Sequence, residues 1–179
     1  SVEYFARKGE DVKSARFDKN TAYVCTSVKF TDPVFFFDLS DLDNITYKDT
    51  GTIEGYSTSL VDFGDGYLLG IGLQDWSNPK IEVYKEEGDK VISVAGIVIA
   101  ESSISTDYKA YYIDRERGYI GLGVNPHRGE TKYVIIKFEN EKLTVEYELI
   151  TSGDITLMRG TYIDKFIYIL TSGRLNVIS

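Results

Sequence analysis

Residues 56–99 read YSTSLVDFGDGYLLGIGLQDWSNPKIEVYKEEGDKVISVAGIVI, and the punctuation of this stretch decides the fold. Tyr56 to Phe63 is strand-like, Gly64-Asp65-Gly66 supplies a tight turn of positive φ, and Tyr67 to Leu73 is the returning strand. The pair is a hairpin. After the polar loop Gln74 to Pro79 come Lys80 to Tyr84, a turn at Lys85 to Asp89, and Lys90 to Ile99. That makes four antiparallel strands in about 45 residues.

The unit recurs. Its second strand, GYLLGIGL around Tyr67, is echoed by TAYVCTSV around Tyr23, GYIGLGV around Tyr119 and KFIYILTSG around Tyr168, at spacings of about 44, 52 and 49 residues. These strands are nearly all apolar, as suits a strand packed on both faces between neighbouring sheets. A unit of this size cannot bury its apolar face alone and must stack on the next. In the third unit the strands are expected at Asp107 to Ile113, Gly118 to Val124, Thr131 to Phe138 and Lys142 to Ile150. In the first they run from Ser14-Ala15-Arg16-Phe17 through Tyr23 and Asp32 to Asp38, then Ile45 to Ile53. The last unit offers only Ile155 to Ile163, Lys165 to Thr171 and Arg174 to Ile178.

The expected fold is an all-β propeller of four antiparallel blade units, 14–53, 56–99, 107–150 and 155–178, forming a single domain. It is either a closed four-blade ring or an arc of a larger one, whose exposed edges would need cover. Val2 to Ala6 (VEYFA) is the candidate closing strand, expected to pair at the edge of Leu175 to Ile178 and supply the strand the last unit lacks. The Gly-x-Gly fragments Gly70-Ile71-Gly72 and Gly121-Leu122-Gly123 precede no helix, so neither reads as a phosphate cradle. Small residues admitting a neighbouring blade explain them.

Composition agrees with strands and narrows the partners. Fourteen Tyr and nine Phe favour pleated surfaces, and the 42% hydrophobic content is that of an ordinary globular chain. A net charge of -8 without a basic cluster would repel a polyanion, so nucleic acid is not an expected partner. No run approaches the roughly 18 apolar residues that span a bilayer, so no membrane insertion is expected in this segment. The single cysteine, Cys25, can form no intrachain disulfide and reads as a small core residue.

Catalytic signatures are sparse. His127 is the only histidine, in a polar loop, and Gly55-Tyr56-Ser57-Thr58-Ser59 lacks the final glycine of a nucleophile elbow. One His and one Cys cannot build a zinc site, and no cofactor is expected. Asp38, Asp41 and Asp43 crowd hard oxygen ligands into one loop, a calcium candidate without the glycine and distal glutamate of an EF-hand; the competing reading is a turn whose side chains bond their own backbone. Asn44-Ile45-Thr46 is formally a glycosylation acceptor. Asp62, Asp65, Asp107, Asp114 and Asp164 fall near ends of the innermost strands, where a propeller glycosidase would flank a sugar with carboxylates and where turn chemistry alone would also place them. Trp76, the only tryptophan, sits in the loop Gln74 to Pro79, either exposed to stack on a sugar or anchor a partner, or folded back over the adjacent blade.

The ordered phrases Ala15-Arg16-Phe17, Ala22-Tyr23-Val24, Asp32-Pro33-Val34-Phe35-Phe36-Phe37-Asp38-Leu39-Ser40-Asp41, Gly55-Tyr56-Ser57-Thr58, Gly66-Tyr67-Leu68-Leu69-Gly70-Ile71-Gly72, Arg159-Gly160-Thr161-Tyr162-Ile163 and Tyr168-Ile169-Leu170-Thr171 resemble the bacterial secreted proteins with a C-terminal β-propeller domain. The resemblance runs from about Ser14 to the end. It implies an exported, cell-surface or secreted protein with further blades upstream, and it carries over no catalytic residue. The loop Asn125 to Glu130 is shorter than that family's insertions at this position. The functional expectation is a non-catalytic binding module for a protein or glycan, with Trp76, Asp62, Asp65 and Asp114 as candidate contacts. A glycoside hydrolase or lyase using channel carboxylates, and a purely structural segment of a larger propeller, are the alternatives.

Overall fold

The computed structural model describes the backbone of residues 1–179 and every side chain except that of Asp32. The chain forms two compact units, Ser1–Val98 and Ile99–Ser179. Each unit contains two larger antiparallel sheets with an apolar cluster between them, the first unit adding a two-stranded ladder, which is why each is compact by itself.

In the first unit, β1 (Asp11–Asp18), β2 (Thr21–Ser27), β3 (Thr31–Asp32), β4 (Val34–Asp38), β5 (Thr46–Asp49) and β6 (Ile53–Glu54) come first. The order β1-β2-β4-β5 makes one sheet, and β3 pairs with β6 separately. The continuous strand expected from Asp32 to Asp38 is interrupted at Pro33, which has no N–H to give to a ladder. Next come β7 (Tyr56–Gly64), β8 (Tyr67–Asp75), β9 (Asn78–Glu87) and β10 (Lys90–Val98), a four-stranded meander joined by the hairpin at Asp65 and Gly66, whose φ values are 51° and 80°. Cys25, Val34 and Phe36 of one sheet meet Leu60, Leu68, Tyr84 and Val91 of the other.

The opposite face of the first sheet carries Ala22, Phe35 and Phe37. Here the expectation for Val2 to Ala6 fails. Residues 1–10 hold no strand, Tyr4 at φ 61° breaks any extended run, and the last sheet contains no strand from this segment. Phe5 packs edge-on against Phe35 and Phe37, with centroids 5.1 and 5.0 Å away. Burial of an aromatic ring on an open apolar face outcompetes a strand with nothing yet to cover.

The second unit holds β11 (Ser102–Ile104), β12 (Tyr112–Asp114), β13 (Tyr119–Pro126), β14 (Lys132–Glu139) and β15 (Lys142–Ile150), in the order β11-β13-β14-β15 with β12 also on β13. The strands β16 (Arg159–Ile163), β17 (Phe166–Thr171) and β18 (Arg174–Ile178) make the last sheet. Two expected strands begin late. Asp107 accepts from the Lys109 N–H at 3.0 Å and Asp154 from the Thr156 N–H at 2.8 Å, so each caps a 3₁₀ turn, Tyr108–Ala110 and Ile155–Leu157, where the sequence reads as strand. Tyr112, Tyr133 and Ile135 pack with Met158, Ile167 and Ile169.

Three of the four glycines in the Gly-x-Gly fragments make room inside their own sheet. A Cβ on Gly70 would meet Ser57 and Tyr84, one on Gly72 the backbone of Tyr56 and Ser57, and one on Gly121 Tyr133, Ile135 and Tyr112. Gly123 alone admits an adjacent segment, since its Cβ would lie 2.9 Å from Ile155 and 3.0 Å from Met158.

Candidate binding surface

Trp76 occupies the two-residue turn between β8 and β9. Asp75 fixes this turn from below: its carboxylate accepts the Ser77 N–H at 2.8 Å and the Asn78 side-chain amide at 2.6 Å. Those two bonds hold the Asp75 carboxyl below its ordinary pKa. The turn is braced by these bonds and its side chain is out. Trp76 is 84% exposed, with its ring edge-on to Phe30 at 4.7 Å. Phe30 in turn lies 5.5 Å from the Tyr56 ring, over which the Lys13 ammonium sits at 5.8 Å. Phe30 belongs to the connection between β2 and β3, so the segment leading from the second strand of each larger sheet of this unit contributes an aromatic side chain to one surface. Of the two readings of Trp76, exposed or folded back over the sheet, the structure has the exposed one; Phe30 and Tyr56 were missed because neither stands out among so many aromatic residues.

Beneath the surface lies a polar line in the same sheet. Lys80, Glu82 and Tyr84 are two residues apart on β9 and therefore share one face. Lys80 donates to the Glu54 carbonyl and pairs with the Glu82 carboxylate, and Tyr84 donates to Glu82 at 3.0 Å. All are buried, Lys80 at 9%, Glu82 at 8% and Tyr84 at 1% exposure. Burial first, and Glu82 second, push the Tyr84 phenol well above its ordinary value. Beyond Tyr84, the Ser57 N–H meets the Cys25 thiol at 3.4 Å, and Cys25 is fully buried. The sequence signal was present: an alternating Lys-x-Glu-x-Tyr interleaved with Ile81 and Val83.

The candidate carboxylates are occupied with their turns. Asp62 accepts the Gly64 N–H at 3.2 Å, and Asp65 is an exposed positive-φ residue of the same hairpin. In the second unit Asp114 accepts from the Tyr112 hydroxyl at 3.1 Å, from the Arg117 N–H at 3.0 Å and from its guanidinium at 3.1 Å. Burial works to raise the Asp114 pKa, but the bonds from Arg117 and Tyr112 hold it below the usual range. The same guanidinium lies 3.9 Å from the Tyr162 ring centroid, tying the β12–β13 turn to β16. Asp164 turns between β16 and β17 at φ 57°. His127 is exposed, its N–H bonded to the Glu101 carbonyl at 2.8 Å.

The calcium candidate resolves into local turns. Asp38 accepts the Ser40 N–H at 2.9 Å and its hydroxyl at 2.6 Å, while Asp41 accepts the Asp43 N–H at 3.0 Å. Among the described residues no group of three His, Cys, Asp or Glu side chains is placed to hold a metal ion.

The family described as Beta propeller domain matches residues 1–179. The chain belongs to that family. The propeller chain is 24% identical over 176 residues to an uncharacterized protein of Methanocaldococcus jannaschii, covering 96% of this chain and 27% of the relative. It is 23% identical over 176 residues to an uncharacterized protein of Archaeoglobus fulgidus, covering 94% of this chain and 26% of the relative. The propeller chain thus spans about a quarter of the length of the curated relatives it matches, and both are archaeal. No solved structure matches it. Among the described residues no helix is long and apolar enough to cross a membrane.

Proposed function

We propose that this propeller segment is a non-catalytic binding module of an exported protein, and that it contacts a glycan through the Trp76 surface. The observation that carries the reading is an 84% exposed tryptophan on a turn pinned by Asp75. Exposing so large an apolar ring forgoes the stabilisation of its burial, and a preorganised aromatic face lowers the ordering cost of capturing a sugar ring or an apolar anchor. Phe30 supports the indole from one side, while Lys13 and Asp75 border the surface with charge. Loops on a repeated β scaffold vary without disturbing the core, which favours binding over a purely structural role. Export rests on the resemblance to secreted bacterial propeller proteins alone.

The test is a glycan array followed by titration of the best binder with the wild-type chain and with Trp76→Ala. Loss of at least about tenfold in affinity, the scale of an aromatic hot spot, is expected for the variant. Absence of binding by the wild type, or unchanged affinity of the variant, refutes the glycan reading.

A further inference from the structure

The indole of Trp76 is held out by its own turn, but the ring beside it needs a different hold. Phe30 and the preceding Lys29 both lie in the left-handed region, at φ 61° and 56°. A bulky residue there is an outlier that persists only where its surroundings fix it. Two fastenings do so. The Phe30 carbonyl accepts the Gly55 N–H at 2.8 Å, and the next residue, Thr31, pairs with Glu54 in the β3–β6 ladder. Both come from the short segment 53–55.

That segment is itself fastened from inside the unit. The Lys80 ammonium donates to the Glu54 carbonyl, and its countercharge is the Glu82 carboxylate two residues along β9. Both charged residues are buried, whereas Glu54 is exposed. Gly55, buried at φ 87°, lies so close to the end of β8 that a Cβ would stand 2.6 Å from the Leu73 carbonyl oxygen and 2.8 Å from the Gln74 Cα. One line of bonds therefore runs from Lys80 through Glu54 and Gly55 to Phe30, whose ring meets Trp76 at 4.7 Å. A buried ion pair adds little stability over an apolar pair of the same volume, so stability does not account for a lysine here. A donor aimed at a backbone carbonyl does.

We propose that Lys80, oriented by Glu82, is a positioning residue for the Trp76 surface: it holds the Glu54–Gly55 backbone where Gly55 fixes Phe30 in its left-handed conformation beside the indole. Lys80 is buried and acts through Phe30, not on the ligand. Without the ammonium, segment 53–55 loosens, Phe30 relaxes toward an ordinary negative φ, and the indole loses its edge-on partner. For its bearing on affinity the proposal rests on the glycan reading above; the placement of Phe30 does not.

Trp76 is the only tryptophan, so its indole N–H gives one NMR cross-peak, and that peak senses the ring current of Phe30. Spectra of wild type, Phe30→Ala, Lys80→Met with Glu82→Leu, and all three changes together test the proposal without a ligand. The double variant should keep the wild-type urea midpoint, move the indole peak at least about halfway to its Phe30→Ala position, and exchange the Gly55 amide at least about tenfold faster. The triple variant should match Phe30→Ala. An unmoved indole peak in the double variant overturns the proposal, and so does a triple-variant shift that adds in full to that of Phe30→Ala, because Lys80 then acts by another route. Lys80→Leu with Glu82→Met fills the same two positions and is read in its place if the first pair lowers the urea midpoint. A midpoint lowered in both pairs also overturns the proposal, since the ion pair then serves stability. Any glycan that wild type binds should bind the double variant at least about tenfold more weakly. The peak shifts need no ligand, so they hold or fail independently of the glycan array.

Discussion

Removing one member of the Lys80–Glu82 pair should cost far more than removing both. Lys80→Met deletes the ammonium that pairs with Glu82 and bonds the Glu54 carbonyl, and leaves a carboxylate only 8% exposed with Tyr84 as its remaining donor at 3.0 Å. An uncompensated buried charge of this kind costs about 3–5 kcal/mol. Replacing the pair together, Lys80→Met with Glu82→Leu, removes both desolvation penalties and substitutes side chains of similar volume on the buried face that also carries Tyr84. Such a replacement is neutral or stabilising, within about 1 kcal/mol of wild type or above it. Urea unfolding followed by far-UV circular dichroism gives the free energies of wild type, Lys80→Met, Glu82→Leu and the double variant. Thus Lys80→Met should be lowered by about 3–5 kcal/mol and the double variant restored. If Lys80→Met loses less than about 1 kcal/mol, or the double variant loses the sum of the singles, the charges are solvated rather than buried as a pair and the argument is wrong.

Two further outcomes follow from glycine packing and from titration. Gly72→Ala would drive a Cβ into the Tyr56 carbonyl and to 2.8 Å from the Ser57 Cα, both backbone, and should cost about 3 kcal/mol; Gly96→Ala, whose nearest neighbour lies at 3.9 Å, should stabilise by about 0.4–1 kcal/mol in the same urea assay. Burial first raises Tyr111, to about 12, and also raises Tyr84, Tyr112 and Tyr133 above their ordinary value of 10.0. A raised folded-state pKa leaves this contribution complete below pH 10 and erodes it as pH climbs toward the folded values, so the urea midpoint should be flat from about pH 7 to 9 and fall from about pH 10 to 12. A midpoint unchanged at about pH 11 would mean that these phenols titrate freely.

The sequence by itself determined the strands and their repetition, because hairpin chemistry is local. Gly64-Asp65-Gly66 dictates a turn wherever it stands, and the doubly apolar strand around Tyr67 declares that it is covered on both faces. The same local reasoning misjudged Tyr108–Ala110 and Ile155–Leu157, where a strand-like composition was overridden by the Asp107 and Asp154 side chains bonding the backbone two residues on. What the tertiary structure alone decided were the questions of partnership. Nothing in VEYFA distinguishes a closing strand from a plug; the open face of Phe35 and Phe37 does. Nothing in the loop around Trp76 says whether the indole folds in; Asp75 and Phe30 hold it out. Nothing in Leu170 or Leu175 marks them as uncovered, since an apolar residue reads the same in either state. Backbone preferences are set within a few residues, whereas the cover of a face depends on what the rest of the polypeptide brings to it.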